Sequence, residues 1–150
     1  MIRPSTVAEL EAAPAFPDLL AEYAAESAIE GMPPPSARME TYRALHDAGL
    51  LHVLAAWVDG GLAGFITVLA APLPHYGRIV AVSESFFVAR AHRSTGAGLK
   101  LLHAAEDKAR ELGSPGLLVS APCEGDLFRV LPRIGYAETN RVFFKKVSHE

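Results

Sequence analysis

The stretch HRSTGAGLKLLHAAEDKAREL, residues 92–112, carries the strongest structural signal in this 150-residue chain. A short run of basic and hydroxyl side chains leads into Gly96-Ala97-Gly98, and apolar residues then recur at helical spacing. That apolar stripe consists of Leu99, Leu102, Ala105, Ala109 and Leu112. Glycines at the mouth of a helix let the backbone approach an anion, which the free N–H groups and partial positive charge of the helix end attract. The stretch therefore predicts a phosphate-binding loop that opens a long amphipathic helix.

Two helices are predicted in the first third of the chain. Residues 17–30 and the segment after Ser36 both carry apolar residues at helical spacing, and the proline-rich loop 31–36 separates them. These apolar residues are Leu19, Leu20, Tyr23 and Ala24 in the first helix and Met39, Tyr42 and Leu45 in the second. We expect Ser36 to cap the second helix and Gly49 to close it.

Strand patterns follow the two helices. Apolar runs at residues 50–58 and 62–71 flank Asp59-Gly60-Gly61, which predicts a hairpin turn, and residues 78–89 predict a third strand. Beyond the long helix, residues 116–121 predict a short buried strand. Because a helix connects these last two strands, we expect them to form one parallel pair in an otherwise antiparallel sheet.

The end of the chain is predicted to form one more helix and a hairpin of strands. Residues 125–135 indicate a short helix that Pro132 kinks or ends, and residues 136–147 indicate the terminal strands. The complete order predicts a mixed α+β fold in three layers, with helices on both faces of one mostly antiparallel sheet. Its length predicts a single domain over residues 1–150.

Composition excludes several other classes of protein. The net charge is −3 and the pI about 6.1, so we expect no nucleic-acid partner. A single cysteine, Cys123, excludes an internal disulfide and favours a reducing, cytoplasmic environment. No apolar run reaches the about 18 residues of a membrane span, and the N-terminus lacks a signal-peptide pattern. We also expect no metal site, because none of the histidines has metal-ligand spacing: His46, His52, His75, His92, His103 and His149.

Two common phosphate-binding motifs do not match the glycine loop. A Walker A loop needs a lysine directly after its last glycine, whereas Leu99 stands between Gly98 and Lys100. A dinucleotide fingerprint needs a third glycine, where Leu101 stands, and a preceding parallel sheet. A capped helix start without a ligand is the alternative that the glycines alone leave open. The preceding strand and the basic, hydroxyl-rich approach favour a ligand.

The segment FFVARAHRSTGAGLKLL, residues 86–102, resembles the acetyl-CoA motif of the GNAT superfamily of N-acetyltransferases. The family's loop pattern, Arg/Gln-x-x-Gly-x-Gly/Ala, is matched in full from Arg93 to Gly98, five residues after Val88. The order of predicted elements is similar to the family's over nearly the whole chain, and Gly135-Tyr136 stands where the family usually has Gly-Phe. The resemblance implies a three-layer α/β/α sandwich whose parallel strand pair splays around acetyl-CoA. It also implies acetyl transfer to a primary amine of a small molecule or peptide.

The resemblance assigns roles to the residues around the loop. Backbone N–H groups from Arg93 to Leu99 would hold the pyrophosphate of coenzyme A. The backbone of Phe87 and Val88 would pair with the pantetheine arm as an added strand, and one of their N–H groups would polarise the thioester carbonyl. The implied cofactor-binding residues are Phe87, Val88, Arg93, Ser94, Thr95, Gly96, Ala97, Gly98 and Leu99.

Glu84 is the candidate general base. It lies four residues before Val88, where family members often carry a glutamate, and a carboxylate there can take the proton of the attacking amine. The residues themselves are unusual, because Ser83-Glu84-Ser85 places three polar side chains in the middle of an apolar strand. The alternative is that Glu84 simply faces solvent on the open side of the sheet.

The general acid departs from the family's pattern. Leu131 stands where a tyrosine is common, and the usual asparagine after the following strand is missing. Ser120, Cys123 and Tyr136 are weak candidates, and a thiolate with a pKa near 8.5 can leave without an acid. These departures keep open a catalytically weak or inactive acyl-CoA-binding module for regulation or interaction.

Other interpretations concern the ligand and the partners. An unrelated nucleotide-binding α+β domain would bind ATP rather than coenzyme A. Candidates for the mouth of the acceptor site are His75-Tyr76, the loop at residues 33–35 and Arg38, all of which equally suit ordered surface loops. The segment RVFFKK, residues 141–146, is a candidate strand for pairing in a homodimer, although its lysines equally suit an exposed sheet edge.

Overall fold

A computed structural model describes residues 1–148, so His149 lies outside the described residues. The strands are β1 (Ile2–Ser5), β2 (Leu51–Val58), β3 (Gly61–Leu73), β4 (Arg78–Val88) and β5 (Leu117–Val119). The α-helices are α1 (Val7–Ala12), α2 (Phe16–Glu26), α3 (Met39–Asp47), α4 (Ala97–Glu111) and α5 (Asp126–Val130). Two 3-10 helices, Arg90–Thr95 and Leu131–Ile134, precede α4 and follow α5. No helix in this part of the chain has the length and apolar character needed to cross a membrane.

The five strands form one sheet in the order β1-β2-β3-β4-β5. The first four pair antiparallel, and β4 and β5 pair parallel, as predicted for two strands joined by a helix. The β2–β3 turn is also confirmed: Asp59 and Gly60 have φ values of 50° and 81°, which a two-residue hairpin turn of the right twist requires. The predicted mixed α+β class is therefore confirmed.

Helices cover both faces of the sheet and bury a separate apolar cluster on each. On one face, α4 contributes Leu101, which packs in a cluster with Ile66 of β3. On the other face, Leu10 of α1 and Phe16 of α2 cluster with Phe65 of β3. Because successive side chains of a strand point to opposite faces, the apolar run of β3 supplies both clusters. The predicted three-layer arrangement is confirmed.

Helix ends in the first third differ from the prediction. Helix α2 ends at Glu26 rather than at residue 30, and Ser27, its C-cap residue, donates both its N–H and its hydroxyl to the carbonyl of Tyr23. The predicted Ser36 cap is wrong: α3 begins at Met39, and Arg38 is its N-cap residue. Ser36 follows three prolines, which favour extended backbone and delay the start of the helix.

The short helix α1 was not predicted, although its start carries a recognisable pattern. Thr6 accepts a 3.0 Å hydrogen bond from the backbone N–H of Glu9, as the N-cap of a Thr-x-x-Glu capping box does. Val7 and Leu10 then turn inward, at 2% and 3% exposure. This helix forms part of the cavity described below.

The predicted terminal hairpin over residues 136–147 is wrong. Residues 137–148 form neither strand nor helix, and Val142 and Phe143 are 88% and 89% exposed. Strand propensity takes effect when a segment has a partner strand and an apolar face to cover, and these side chains meet neither in the described chain. Upstream, Pro132 ends the α-helical turn: α5 stops at Val130 and a 3-10 helix follows.

Candidate active site

A β-bulge in β4 places Glu84. Ser83 pairs with Val68 of β3 and Ser85 pairs with Thr67, so Glu84 is an extra residue without a partner of its own on β3. Such a bulge breaks the strict alternation of side chains and re-aims the extra one. Glu84 consequently reaches the face covered by α1, α2 and α3, where it lines a cavity. The polar interruption of β4 therefore marks a bulge, and the side chain of Glu84 lines the cavity while remaining exposed to solvent.

Two hydroxyl groups hold the carboxylate of Glu84. Tyr42 of α3 donates to Oε1 at 3.1 Å, and Thr67 of β3 donates to Oε2 at 3.2 Å. The Thr67 oxygen also lies 2.7 Å from the hydroxyl of Ser85 and accepts the Ser85 backbone N–H at 3.0 Å. With the Ser85 hydroxyl donating, Thr67 is free to donate to Glu84. Burial, and then the negative charge of Glu84, raise the pKa of Tyr42, so its hydroxyl stays protonated and keeps donating.

The cavity beside Glu84 has a volume of about 540 Å³. Its walls come from α1, α2, the start of α3, the preceding loop and the sheet, and their side chains are mostly apolar. The lining residues are Val7, Leu10, Phe16, Leu20, Ala21, Tyr23, Ala24, Ser27, Pro35, Ser36, Ala37, Met39, Tyr42, Val53, Phe65, Thr67 and Glu84. A cavity of this size suits a small organic ligand. Among the described residues, Glu84 is the one acidic or basic side chain in the cavity lining.

A slot opens next to the bulge because β4 and β5 part. Their pairing ends at Ser83 and Val119, whereas β4 continues to Val88. The N–H of Ala89 donates to the carbonyl of Ala63 in β3. Because the backbone groups of successive residues in a strand face opposite edges, those of Phe87 also face β3. The same alternation turns the backbone groups of Phe86 and Val88 towards the slot. Of the two residues expected to contact the pantetheine arm, Val88 therefore directs its backbone groups towards the slot, whereas Phe87 directs its own towards β3.

Tyr23 connects the cavity to the slot. Its hydroxyl accepts the backbone N–H of Phe86 at 3.4 Å, and its ring stacks on Phe87 with centroids 5.2 Å apart. The side chain also lines the cavity that holds Glu84. Burial raises the pKa of Tyr23, so the hydroxyl is neutral at physiological pH.

The glycine loop forms the predicted mouth of α4. Residues Arg90–Thr95 make a 3-10 helix, Gly96 takes a left-handed conformation with φ of 80°, and α4 begins at Ala97. The first-turn N–H groups of a helix have no partner within that helix. The hydroxyl of Thr95 accepts the N–H of Ala97 at 3.4 Å, so the first-turn N–H groups of Gly98 and Leu99 are the ones that could bind an anion.

The side chain of Arg93 connects the glycine loop to the end of β4 and to α2. Its Nε donates to the carbonyl of Val88 at 3.0 Å, and its Nη2 donates to both carboxylate oxygens of Glu26 at 2.8 and 2.9 Å. The guanidinium also lies 5.2 Å from the ring centroid of Phe87. Arg90 adds a longer contact to Glu26 at 3.5 Å. These contacts fasten the end of α2 to the loop and to the end of β4.

The weaker sequence candidates lie away from Glu84. Leu131 is buried in the cluster that α4 covers, and the hydroxyl of Tyr136 donates to Glu106 of α4 at 2.8 Å. Cys123 is exposed in the loop after β5, as is Ser120. Among the expected mouth residues, Pro35 lines the cavity, and Arg38 borders a neighbouring hollow with Met39 and Arg43. His75 and Tyr76 lie in the β3–β4 turn and are not part of the cavity lining.

Three residues of the site, Tyr23, Tyr42 and Thr67, were not among the predicted site residues. The sequence pattern predicts Tyr23 and Tyr42 on apolar helix faces and Thr67 within a strand, without indicating a role in the site. Their common signal is a hydroxyl on an otherwise apolar, inward-facing position, which needs a hydrogen-bond partner when buried. In residues 1–148 no cluster of three or more potential metal ligands occurs.

Comparisons with known proteins agree with this architecture. The sequence model of the acetyltransferase (GNAT) family matches residues 16–125. Among solved structures, a ribosomal-protein-alanine N-acetyltransferase from Brucella melitensis biovar Abortus 2308 is 23% identical, with a TM-score of 0.72 over 98% of this chain and 99% of that one. The aminoglycoside acetyltransferase meta-AAC0020, from an uncultured soil metagenomic sample, is 20% identical, with a TM-score of 0.72 over 99% and 96%.

A third structure was solved with a coenzyme A derivative. AAC(6')-Iy, in complex with the bisubstrate analog CoA-S-monomethyl-acetylneamine, is 21% identical, with a TM-score of 0.75 over 99% of this chain and 98% of that one. No curated protein sequence matches the chain. The family match nevertheless spans most of the sequence and includes the glycine loop. The chain belongs to the GNAT acetyltransferase family, whose enzymes take their acetyl group from acetyl-CoA.

Proposed function

We propose that this enzyme acetylates a primary amine of a small molecule or peptide, with Glu84 as the general base. The observation that carries the proposal is the bulge in β4, which sets Glu84 in the cavity beside the strand edge that leaves β5. An amine in the cavity would reach both the carboxylate and a donor lying along that edge. The hydroxyls of Tyr42 and Thr67 hold the carboxylate in this position.

The backbone around the slot fits coenzyme A. The edge of β4 beyond Ser83 offers an extended pantetheine arm the C=O of Phe86 and the N–H of Val88, and we assign the contact to these two groups. The pyrophosphate would lie at the mouth of α4, within the loop from Arg93 to Leu99, where the N–H groups of Gly98 and Leu99 have no partner within the helix. Phe87 supports this region through its side chain, between Tyr23 and Arg93.

Bound acetyl-CoA supplies an acetyl group as a thioester, and the chain's residues prepare the amine for it. A primary alkylamine has a pKa near 10, so near neutral pH it must lose a proton before its nitrogen can attack. Glu84 takes that proton, directly or through a water molecule. A slot-side N–H of β4 donates to the carbonyl oxygen as negative charge grows there.

The atoms balance without a further reactant. The nitrogen forms a bond to the acetyl carbon, the carbon–sulfur bond breaks, and its electron pair leaves on sulfur. The ammonium loses one proton through Glu84 to solvent before the attack. The nitrogen loses a second proton as the amide forms, and Glu84 passes that proton to the thiolate or to solvent. A thiol with a pKa near 8.5 is a good enough leaving group near neutral pH for no dedicated acid to be required.

Glu84→Gln tests the assignment of the base. The amide keeps the size of the side chain but cannot take a proton, so we expect turnover to fall well over tenfold in a thiol-release assay with an amine panel. Calorimetry should show unchanged acetyl-CoA affinity, and Glu30→Gln, in the exposed loop after α2, serves as the control. Unchanged turnover would remove Glu84 from the mechanism. Acetyl-CoA binding without thiol release for any amine would favour the binding-module alternative, and binding of ATP in preference to coenzyme A would contradict both.

A further inference from the structure

The cavity beside Glu84 also indicates the kind of amine that enters it. Resting on the proposed acetyl transfer, we propose that the acceptor is a small amine with one positive charge and an apolar body. Polycationic acceptors such as aminoglycosides and polyamines are then poor substrates, although several structural neighbours are aminoglycoside acetyltransferases.

The first argument is the apolar surface of the cavity. The rings of Phe16, Phe65 and Tyr23 form one wall, with Phe65 edge-on to the other two at centroid distances of 6.0 and 6.2 Å. Leu20 and Met39 extend this wall towards the loop before α3. Transfer of apolar surface from water into such a site is favourable. The body of the ligand therefore gains from being hydrocarbon.

The second argument is charge. Glu84 accepts its hydrogen bonds from two neutral hydroxyls, so its negative charge is available to a single ammonium group. A second ammonium deep in the cavity would lose its hydration against apolar walls, which is costly without a paired anion.

The hollow beside the cavity holds as many arginines as carboxylates, namely Arg38 and Arg43 with Glu11 and Glu40. Both oxygens of Glu11 accept from Nη1 of Arg43, at 2.6 and 2.7 Å, next to the hollow that shares Met39 with the cavity. Glu26, at the end of α2, pairs with Arg93 at 2.8 Å. The hollow therefore presents no excess of negative charge with which to attract a polycation.

Matched amines test the proposal on the intact enzyme. Pentylamine and 1,5-diaminopentane have the same chain length but one and two ammonium groups, and 2-phenylethylamine and kanamycin extend the comparison. Thiol release with saturating acetyl-CoA should give at least a tenfold higher kcat/KM for pentylamine than for the diamine. We expect 2-phenylethylamine to exceed kanamycin by a larger factor.

A pair of variants tests the cavity wall itself. Ala21 is exposed on α2 and lines the cavity, whereas Ala25 lies one turn further along, is also exposed and is not in the lining. Ala21→Glu should lower kcat/KM for pentylamine several-fold and narrow or reverse the preference over the diamine. Ala25→Glu, the same change on the same helix, should leave the preference as it is.

The possible results distinguish a wrong proposal about the acceptor from a wrong proposal about acetyl transfer. Equal or better turnover of the diamine or of kanamycin by the wild-type enzyme would overturn the apolar-amine proposal and leave acetyl transfer standing. Thiol release with none of the amines would contradict the proposed function. In that case calorimetry of 2-phenylethylamine in the presence of coenzyme A decides the acceptor class, since binding would support it and its absence would reject it.

Discussion

Tyr42 donates a 3.1 Å hydrogen bond to Oε1 of Glu84 and thereby ties α3 to the bulge in β4 across 42 residues of sequence. The hydroxyl remains a donor at neutral and moderately alkaline pH, because burial and the charge of Glu84 raise the pKa of Tyr42. The position of the proposed base thus depends on how α3 packs, and not on β4 alone.

Tyr42→Phe should lower kcat about tenfold while leaving acetyl-CoA affinity unchanged. Removal of a hydrogen bond to a charged group costs on the order of 1.5–3 kcal/mol, and here the loss falls on the orientation of Glu84. Steady-state kinetics and calorimetry measure the two effects. Tyr76→Phe, in the exposed β3–β4 turn, is the matched control. An unchanged kcat in Tyr42→Phe would mean that Thr67 alone positions the carboxylate.

Gly64→Ala should destabilise the slot edge of β4. An added Cβ would lie 2.8 Å from the Phe87 carbonyl oxygen and 3.0 Å from Cα of Val88, and backbone atoms cannot move away cheaply. Overpacking of this kind costs about 1–3 kcal/mol. We expect a lower melting temperature and weaker acetyl-CoA binding. Gly116→Ala, where a Cβ would meet nothing within 4 Å, should change neither, and equal behaviour of the two variants would refute the close approach.

Local chemistry explains which elements could be predicted from the sequence. The β2–β3 turn needs Asp59 and Gly60 in left-handed conformations, and the mouth of α4 needs Gly96 in the same region, so the residue types reveal both places. The start and end of β4 likewise follow from its apolar run and its flanking turns. The family resemblance added the expectation that β4 and β5 part.

Long-range contacts explain what could not be predicted. No local pattern predicts that Tyr42 contacts Glu84 or that Tyr23 contacts Phe86, because the partners lie 42 and 63 residues apart in the sequence. The prediction of a terminal hairpin was wrong for a related reason. The side chains of this segment favour strands, but a segment with strand propensity forms no strand unless a partner strand pairs with it. The bulge at Glu84 lies between these cases, since Ser83-Glu84-Ser85 marks an irregularity whose direction only the pairing with β3 reveals.

Glu26→Gln should raise the KM for acetyl-CoA a few-fold with little change in kcat. The Arg93 guanidinium, mainly through its hydrogen bonds, lowers the pKa of Glu26, so the carboxylate is charged at neutral pH and holds the loop to α2. Both side chains are about one-third exposed, and exposed ion pairs contribute about 0–1 kcal/mol. Added salt should raise the wild-type KM towards that of the variant. A KM that is the same in Glu26→Gln and in wild type at low salt would show that Val88 alone secures Arg93.

Tyr136→Phe should make stability less sensitive to alkaline pH. Burial, and then the hydrogen bond to Glu106, raise the pKa of Tyr136 above its ordinary value of 10.0, so the unfolded chain releases this proton first as pH rises. Its contribution to stability is fully present below pH 10 and is lost above it, by up to about 1.4 kcal/mol per pH unit. The pKa values of Tyr23 and Tyr42 are raised as well, so these two residues make the stability of the protein fall more steeply at alkaline pH.

Urea unfolding followed by circular dichroism at pH 8, 9.5, 10.5 and 11 measures this slope. Below pH 10 we expect Tyr136→Phe to be less stable than wild type by about 1 kcal/mol, because a buried hydrogen bond is lost. Above pH 10 the two curves should converge, since the variant has one fewer group whose ionisation favours unfolding. Tyr76→Phe, at an exposed turn position, should follow the wild-type curve throughout. Parallel curves for Tyr136→Phe and wild type up to pH 11 would show that Tyr136 ionises as readily in the folded protein as in the unfolded chain.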